Sequence, residues 1–252
     1  GAGVDACFGD EPVNRMAEPP RQKAAAPVLA LAPAPTGRLA KAGPDFSAAI
    51  AEARRLAGES ADLESLAAAI AAFDGCPLKF EGARQAVFAR GDPGADVIVI
   101  GEGPGADEDV QGAPFVGRAG KLLDKMLTAA KLADRVFITN TVFWRPPGNR
   151  TPTPAEQAIC QPFVEKAISL IRPRYLLLMG GAAAKSILKR EEGILSLRGR
   201  WFEWSAEGES LTVPALPTLH PAFLLRQAAA KKKAWSDVLT LAERLDRPDR
   251  AV

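Results

Sequence analysis

Cysteine and histidine are scarce in this chain of 252 residues, which contains three cysteines and one histidine. The cysteines, Cys7, Cys76 and Cys160, are too few and too scattered for a disulfide framework, and they indicate a reducing compartment. A single histidine, His220, excludes a zinc site built from several histidines. If the chain is an enzyme that uses an imidazole, His220 is therefore its candidate.

Long apolar runs and a strong charge of either sign are also missing. No segment approaches the ~18 uninterrupted apolar residues that suggest a membrane-spanning helix. Residues 24–35 only faintly resemble a signal peptide, because prolines interrupt the stretch. The formal net charge is +2, so any basic surface for nucleic acid has to be local. These features predict a soluble, cytoplasmic protein.

The chain changes character near residue 45. Residues 1–44 are rich in alanine and proline, which is typical of an extension, and a domain is predicted over 45–252. Within the domain, short continuous apolar runs alternate with helical patterns. This alternation predicts a three-layer α/β/α sandwich with a central, mainly parallel four-stranded sheet. The predicted strands are 96–101, 135–142, 174–180 and 213–220, and 197–204 is typical of an additional hairpin strand.

Each predicted strand ends in a polar or glycine-rich loop, and in such sheets ligands bind beyond the carboxyl ends of the strands. The first loop, GEGPGA from Gly101, has the spelling of a dinucleotide fingerprint. The sequence predicts no helix that begins directly after these glycines, as the fingerprint requires. Three consecutive acids, residues 107–109, would also repel a pyrophosphate. A dinucleotide-dependent oxidoreductase therefore remains only an alternative.

Several side chains in these loops suit the binding of a nucleotide. Glu102 lies between glycines, where a carboxylate can orient a water or a sugar hydroxyl. Phe115 is either a core residue or a flat surface on which a base stacks. Asn140 carries a donor and an acceptor and can read a base edge. Arg145 and Arg150 suit phosphates.

The last loop combines the single histidine with an apolar tip and positive charge. Leu224 and Leu225 follow His220 and form a suitable wedge for a base stack. Arg226 and the lysines 231–233 supply positive charge, with no acid among them. A charge run is often only a solvated helix face, but beside an apolar wedge it indicates a DNA-contacting edge.

Three signatures, GEGPGADED with GAPFVG, TN with RPPGNRTPTP, and HPAFLLR, together resemble those of the uracil-DNA glycosylase superfamily, most closely its family 4. The resemblance covers about 75–245. It implies a DNA repair enzyme that hydrolyses the N-glycosidic bond of deoxyuridine, releases uracil and leaves an abasic site. The implied partner is uracil-containing DNA, single- or double-stranded, and the chain is expected to be a monomer. A slow-turnover or non-enzymatic binder of uracil or abasic DNA is the alternative.

The resemblance also implies a role for individual residues. The implied catalytic residues are Glu102 and Asn149, near the attacking water, and His220, on uracil O2. The sequence leaves open whether Glu102 or Asn149 positions the water. The implied substrate-binding residues are Gly103, Glu108, Phe115 and Asn140. The predicted DNA-binding residues are Arg145, Arg150, Pro221, Leu224, Leu225 and Arg226.

The chain departs from the family pattern at its cysteines. Family 4 enzymes usually hold a 4Fe–4S cluster with four cysteines. Cys76 and Cys160 keep two of these positions, whereas Phe73 and Trp144 stand in the other two. Two thiolates cannot hold the usual cluster, so no metal and no cofactor are expected, and packing of the two aromatic rings is expected instead.

Overall fold

The computed structural model describes residues 46–206 and 210–247. The predicted extension, residues 1–44, and Cys7 with it lie outside the described residues. The helices are α1 Ser47–Glu59, α2 Leu63–Ala72, α3 Ala106–Gln111, α4 Arg118–Ala129, α5 Pro154–Ile171, α6 Gly181–Leu188, α7 Ile194–Leu197, α8 Pro221–Arg226 and α9 Lys231–Asp246. The strands are β1 Ala89–Gly91, β2 Val97–Gly101, β3 Val136–Asn140, β4 Tyr175–Met179, β5 Phe202–Ser205 and β6 Thr212–Thr218. None of the helices in the described ranges is long and apolar enough to cross a membrane.

The strands form one sheet in the order β1-β3-β2-β4-β6-β5. The inner strands β3, β2, β4 and β6 pair in parallel and correspond to the predicted strands. The prediction of four strands is wrong in number, because β1 and β5 extend the sheet to six as antiparallel edges. β5 overlaps the predicted hairpin segment 197–204 and ends one residue beyond it. β1 has the sequence Ala-Arg-Gly and carries no apolar run that predicts a strand.

The sheet has a helical layer on each face, which confirms the three-layer α/β/α class. Alternate residues of β2 point to opposite faces, as the period of a strand requires. Ile98 and Ile100 pack in one apolar cluster with residues of α1, α2 and α5. Val97 and Val99 pack in a second cluster with residues of α4 and α9. Because both faces are covered, every residue of β2 is buried, which explains its continuous apolar sequence.

The pattern of residues 154–171 predicts a helix, α5 has these bounds, and its N-terminus explains why it begins there. Thr153 caps the helix by accepting a hydrogen bond from the backbone N–H of Glu156, while the Glu156 carboxylate accepts from the Thr153 N–H. Pro154 occupies the first helical position, where its missing N–H costs nothing. The capped helix end gives a rigid attachment for the loop that precedes it.

Candidate active site

A cavity of about 470 Å³ opens at the carboxyl ends of β2, β3 and β6. The predicted site residues that line it are Glu102, Gly103, Glu108, Phe115, Asn140, Asn149, Arg150, His220 and Arg226. The structure therefore brings together residues from all three sequence signatures. Other lining residues, among them Ala119, Pro146 and Phe223, were not predicted as site residues.

The side chains of Asn140 and Phe115 can both approach the end of β2 because residue 101 is a glycine. Gly101 ends β2 and lies opposite Asn140, which ends β3. A Cβ atom on residue 101 would lie 2.4 Å from Asn140 Oδ1 and 2.5 Å from Phe115 Cζ. Glycine thus leaves room for an amide and an aromatic ring to approach the same point.

The amide of Asn140 has an unused donor. The side chain is buried, with 1% of its surface exposed. Within the described part of the chain, its Nδ2 has no hydrogen-bond partner. A buried donor without a partner costs about 1–3 kcal/mol. Because the residue lines the cavity, Nδ2 is available to an acceptor of a bound ligand.

Phe115 is held in an unusual backbone conformation. Its φ is +55°, in the left-handed region, which is costly for a residue with a large side chain. Gly120 permits the approach of α4, because a Cβ there would lie 1.6 Å from the Phe115 carbonyl oxygen. Arg90 donates to the carbonyls of Pro114 at 2.8 Å and Phe115 at 3.2 Å. Arg90 lies outside the sequence signatures, so sequence reasoning missed it.

The Glu108 carboxylate organises the loop around Phe115. It accepts hydrogen bonds from the backbone N–H groups of Gly105 at 3.1 Å, Val116 at 3.0 Å and Gly117 at 2.9 Å. These bonds tie the start of α3 to the loop that carries the aromatic ring. Glu108 lines the cavity, and its described contacts position that loop.

α3 corrects one expectation about the first loop. A helix does begin at Ala106, directly after the glycines. Its first turn contains Asp107, Glu108 and Asp109, which satisfy the helix dipole themselves. Three carboxylates at this N-terminus repel a pyrophosphate, so the dinucleotide alternative gains nothing from the helix.

His220 is held as a neutral imidazole with a defined tautomer. It is the N-cap of α8, where its Nδ1 accepts a hydrogen bond from the Ala222 N–H at 3.1 Å. The neutral ring therefore carries its proton on Nε2. Burial, and next the positive charge of Arg226, lower the pKa of His220 to about 4. Its ring lies 5.6 Å from that of Phe115, between centroids.

The arginines of the 139–154 loop have intramolecular partners. Arg145 donates its Nε to Asn149 Oδ1 at 2.6 Å. Since arginine only donates, this bond fixes which end of the Asn149 amide faces it. Arg150 donates to both oxygens of Glu156, at 2.9 and 2.6 Å, and to Glu81 at 3.3 Å. Arg150 therefore attaches the loop to the start of α5.

The two leucines of the predicted wedge differ in their exposure. Residues 221–226 form the helix α8, although the sequence predicts a loop there. Neighbouring residues of a helix point in different directions, so one leucine faces the core and the next faces outwards. Leu224 is completely buried in the second apolar cluster, whereas Leu225 is 41% exposed. In this structure Leu225 is therefore the accessible leucine of the predicted wedge, and Leu224 and Pro221 are buried.

The four positions of a family 4 cluster meet in the first apolar cluster. Phe73, Cys76, Trp144 and Cys160 are each at most 2% exposed. The two sulfur atoms lie 4.0 Å apart, and the two aromatic rings lie 6.4 Å apart between centroids. Over the described ranges, no group of three or more His, Cys, Asp or Glu residues is placed to hold a metal ion. Two thiols beside two packed rings do not fit a cluster that needs four thiolates.

Comparisons with known proteins agree with this geometry. Residues 88–239 match the family model of the Uracil DNA glycosylase superfamily. The chain is 36% identical over 168 residues to the type-4 uracil-DNA glycosylase of Saccharolobus solfataricus, which covers 64% of this chain and 77% of the relative. It is 36% identical over 184 residues to the type-4 uracil-DNA glycosylase of Pyrobaculum aerophilum, and the match covers 70% of this chain and 91% of the relative. It is 38% identical over 153 residues to the type-4 uracil-DNA glycosylase of Thermotoga maritima, and the match covers 60% of this chain and 77% of the relative.

Proposed function

The chain belongs to the uracil-DNA glycosylase superfamily, and from this premise we propose that its cavity holds a uracil base flipped out of DNA. The protein is a uracil-DNA glycosylase, a hydrolase that acts on N-glycosyl bonds in DNA repair. One observation carries the proposed pose: the buried Asn140 Nδ2, for which the described residues supply no acceptor, lines a cavity with Phe115 and the neutral His220.

Asn140 is proposed to read the edge of the base. Its Nδ2 donates to uracil O4, and its Oδ1 accepts from uracil N3–H. Cytosine presents an amino donor and an unprotonated ring nitrogen at the same places, so both bonds are lost. Mismatched buried polar groups are costly, which gives discrimination against cytosine. Phe115 supplies the face on which the flipped base stacks.

His220 is proposed to stabilise the leaving group. When the glycosidic bond breaks, its electron pair stays with uracil, and negative charge develops on O2. The Nε2–H of a neutral imidazole donates to that oxygen without giving up its proton. A preorganised donor acts most strongly where water is excluded, and His220 is already half-buried before a base fills the cavity.

Glu102 and Asn149 are proposed to hold the attacking water near the sugar. Both residues line the cavity. A carboxylate can also accept the proton that the water loses, whereas the Asn149 amide has its oxygen engaged by Arg145. Single-turnover rates of Glu102→Gln and Asn149→Ala decide which residue positions the water. The larger loss identifies it.

The DNA is proposed to lie across α8 and the start of α9. Leu225 supplies the exposed apolar tip that fills the space left by the flipped base. Arg226 and the exposed lysines 231–233 face the phosphates. Arg145 and Arg150 are proposed to contact phosphates through the guanidinium nitrogens that their intramolecular bonds leave unused.

The protein is proposed to work without an iron–sulfur cluster, as a monomer in the cytoplasm. The misfit of two thiols and two packed rings supports the first point. A cavity lined by residues of one chain supports the second, which gel filtration tests. An absorbance band near about 400 nm with stoichiometric iron in anaerobically purified protein would contradict the absence of the cluster.

The activity is tested with end-labelled oligonucleotides that contain one uracil, single- or double-stranded, followed by alkaline cleavage. A strand break at uracil, and none at thymine or cytosine in the same position, is expected. Tight binding to abasic DNA without base release under single-turnover conditions would contradict the proposal and favour a binding protein.

A further inference from the structure

Asp237 is a buried carboxylate outside the cavity. It lies on α9 with 2% of its surface exposed. It accepts hydrogen bonds from Thr218 Oγ1 at 2.6 Å and from Arg198 Nε at 3.0 Å, and Arg198 Nη2 also donates to it. Burial raises the pKa of Asp237, although these bonds oppose the shift. Apolar residues often replace a buried ion pair at no cost in stability, so stability alone does not account for this group.

Its first partner holds the end of the strand that leads to His220. Thr218 is fully buried and is the last residue of β6, two positions before the histidine. The Thr218 carbonyl accepts from the Gly180 N–H at 2.9 Å. Gly180 has a φ of +92°, and a Cβ there would lie 2.9 Å from His220 Cβ. The backbone of Thr218 thus fixes the loop against which the histidine packs, while its hydroxyl binds Asp237.

Its second partner holds the same strand from the other side. Arg198 precedes Gly199, whose N–H donates to the Pro217 carbonyl at 3.0 Å. Gly199 has a φ of +72°, and a Cβ there would lie 2.8 Å from Asp237 Oδ1. The carboxylate therefore connects α9 both to the turn after α7 and to the last two residues of β6.

We propose that Asp237 is a positioning residue for His220. Through Thr218 and Arg198 it fixes the carboxyl end of β6, and with it the place of the imidazole in the cavity. The proposal rests on the proposed function, since His220 acts there on uracil. Catalysis depends steeply on such placement, because a displacement of about 1 Å can cost about 10²-fold in rate.

Two variants test separately the contact of Asp237 with Thr218 and its contact with Arg198. Thr218→Val removes the hydroxyl at nearly constant shape. Asp237→Asn keeps an acceptor for Thr218 but presents an amide N–H₂ to Arg198. Thr218→Ser retains the hydroxyl and is the rescue variant. Thr240→Val is the matched control, because the Thr240 hydroxyl lies on the same helix and donates to the Ser236 carbonyl of that helix at 3.0 Å.

The readouts are the single-turnover rate of uracil release, the DNA dissociation constant and the NMR signals of the imidazole. Since the chain has one histidine, those signals report His220 alone. Thr218→Val and Asp237→Asn are expected to lower the rate about 10- to 100-fold, to leave the dissociation constant within about twofold and to shift the imidazole signals. Thr218→Ser and Thr240→Val are expected to behave as wild type.

The proposal is overturned if folded Thr218→Val and Asp237→Asn keep the wild-type rate and the wild-type imidazole signals. If their melting temperature is lower in that case, the role of Asp237 is purely structural. If the wild type releases no uracil, the proposed function fails, whereas the imidazole signals still test whether Asp237 positions the ring.

Discussion

At the scale of single residues, His220 links the chemistry of the site to the stability of the fold. Its pKa is about 4 in the folded protein against an ordinary value of 6.5. Between these values the unfolded chain binds more protons than the folded one. The free energy of unfolding therefore falls as the pH falls from about 6.5 to about 4, by on the order of 3 kcal/mol from this group.

His220→Gln is expected to remove the part of the loss in unfolding free energy on acidification that comes from the imidazole. Urea unfolding of wild type and variant at pH 7 and pH 4.5 measures the difference, because all other titrating groups are shared. The same variant is expected to lower the rate of uracil release by on the order of 10²–10³, through loss of the Nε2–H donor. An equal loss of stability on acidification in both proteins would contradict the low pKa.

Asn140→Asp tests the reading of the base edge. The carboxylate cannot donate to uracil O4 and places negative charge against it. Uracil release is expected to slow by at least about 10²-fold, because a buried mismatch leaves both partners unsatisfied. The single-turnover rate is the measurement, with affinity for undamaged DNA as the control. Full activity on uracil would refute the role of Asn140.

At the scale of elements, α8 assigns opposite roles to adjacent leucines. Leu224→Ala is expected to lower the free energy of unfolding by about 2–5 kcal/mol, because the side chain fills the core. Leu225→Ala is expected to change stability by less than about 0.5 kcal/mol. It is expected to slow uracil release from duplex DNA more than from single strands, since only the duplex has a stack to fill. The reverse pattern would show that the two roles are exchanged.

The elements also show what the sequence allowed to be predicted. Continuous apolar runs predicted the four parallel strands, because burial on both faces imposes that pattern. α5 was predicted at both ends, since its capping residues act locally. β1 escaped prediction because a tertiary pairing decides it, and α8 escaped it because its local cap is a histidine, which is not among the usual N-cap residues. β1 is a short edge strand paired with β3, and α8 begins at the ring of His220.

At the scale of the whole molecule, four aromatic rings pack together in the first apolar cluster. Phe73 and Trp144 pack with Phe143 and Phe163, which adds edge contacts between rings. Trp144→Ala is expected to cost about 3–5 kcal/mol of stability, measured by urea unfolding. Leu239→Ala, at an exposed position, is the control and is expected to have little effect. A small loss for Trp144→Ala would show that the ring does not support the core.

The sequence predicted the cavity residues better than the residues that hold them. Glu102, Asn140 and His220 lie at or near the carboxyl ends of predicted strands, and parallel strands bring these ends to one edge of the sheet. Arg90 and Asp237 act on residues 19 to 39 positions away along the chain. No local pattern encodes such pairings, so only the folded chain shows them.

The bond between the His220 ring and the Ala222 backbone makes one nitrogen atom serve two purposes. It closes the first turn of α8, and it also directs the ring proton towards the cavity. A proton on Nδ1 would set two N–H groups against each other and open that turn. Acid would then loosen the helix that carries Leu225 and Arg226 in the same step that changes the ring. Binding of the DNA by α8 and stabilisation of the leaving base would therefore be lost together when the His220 imidazole is protonated.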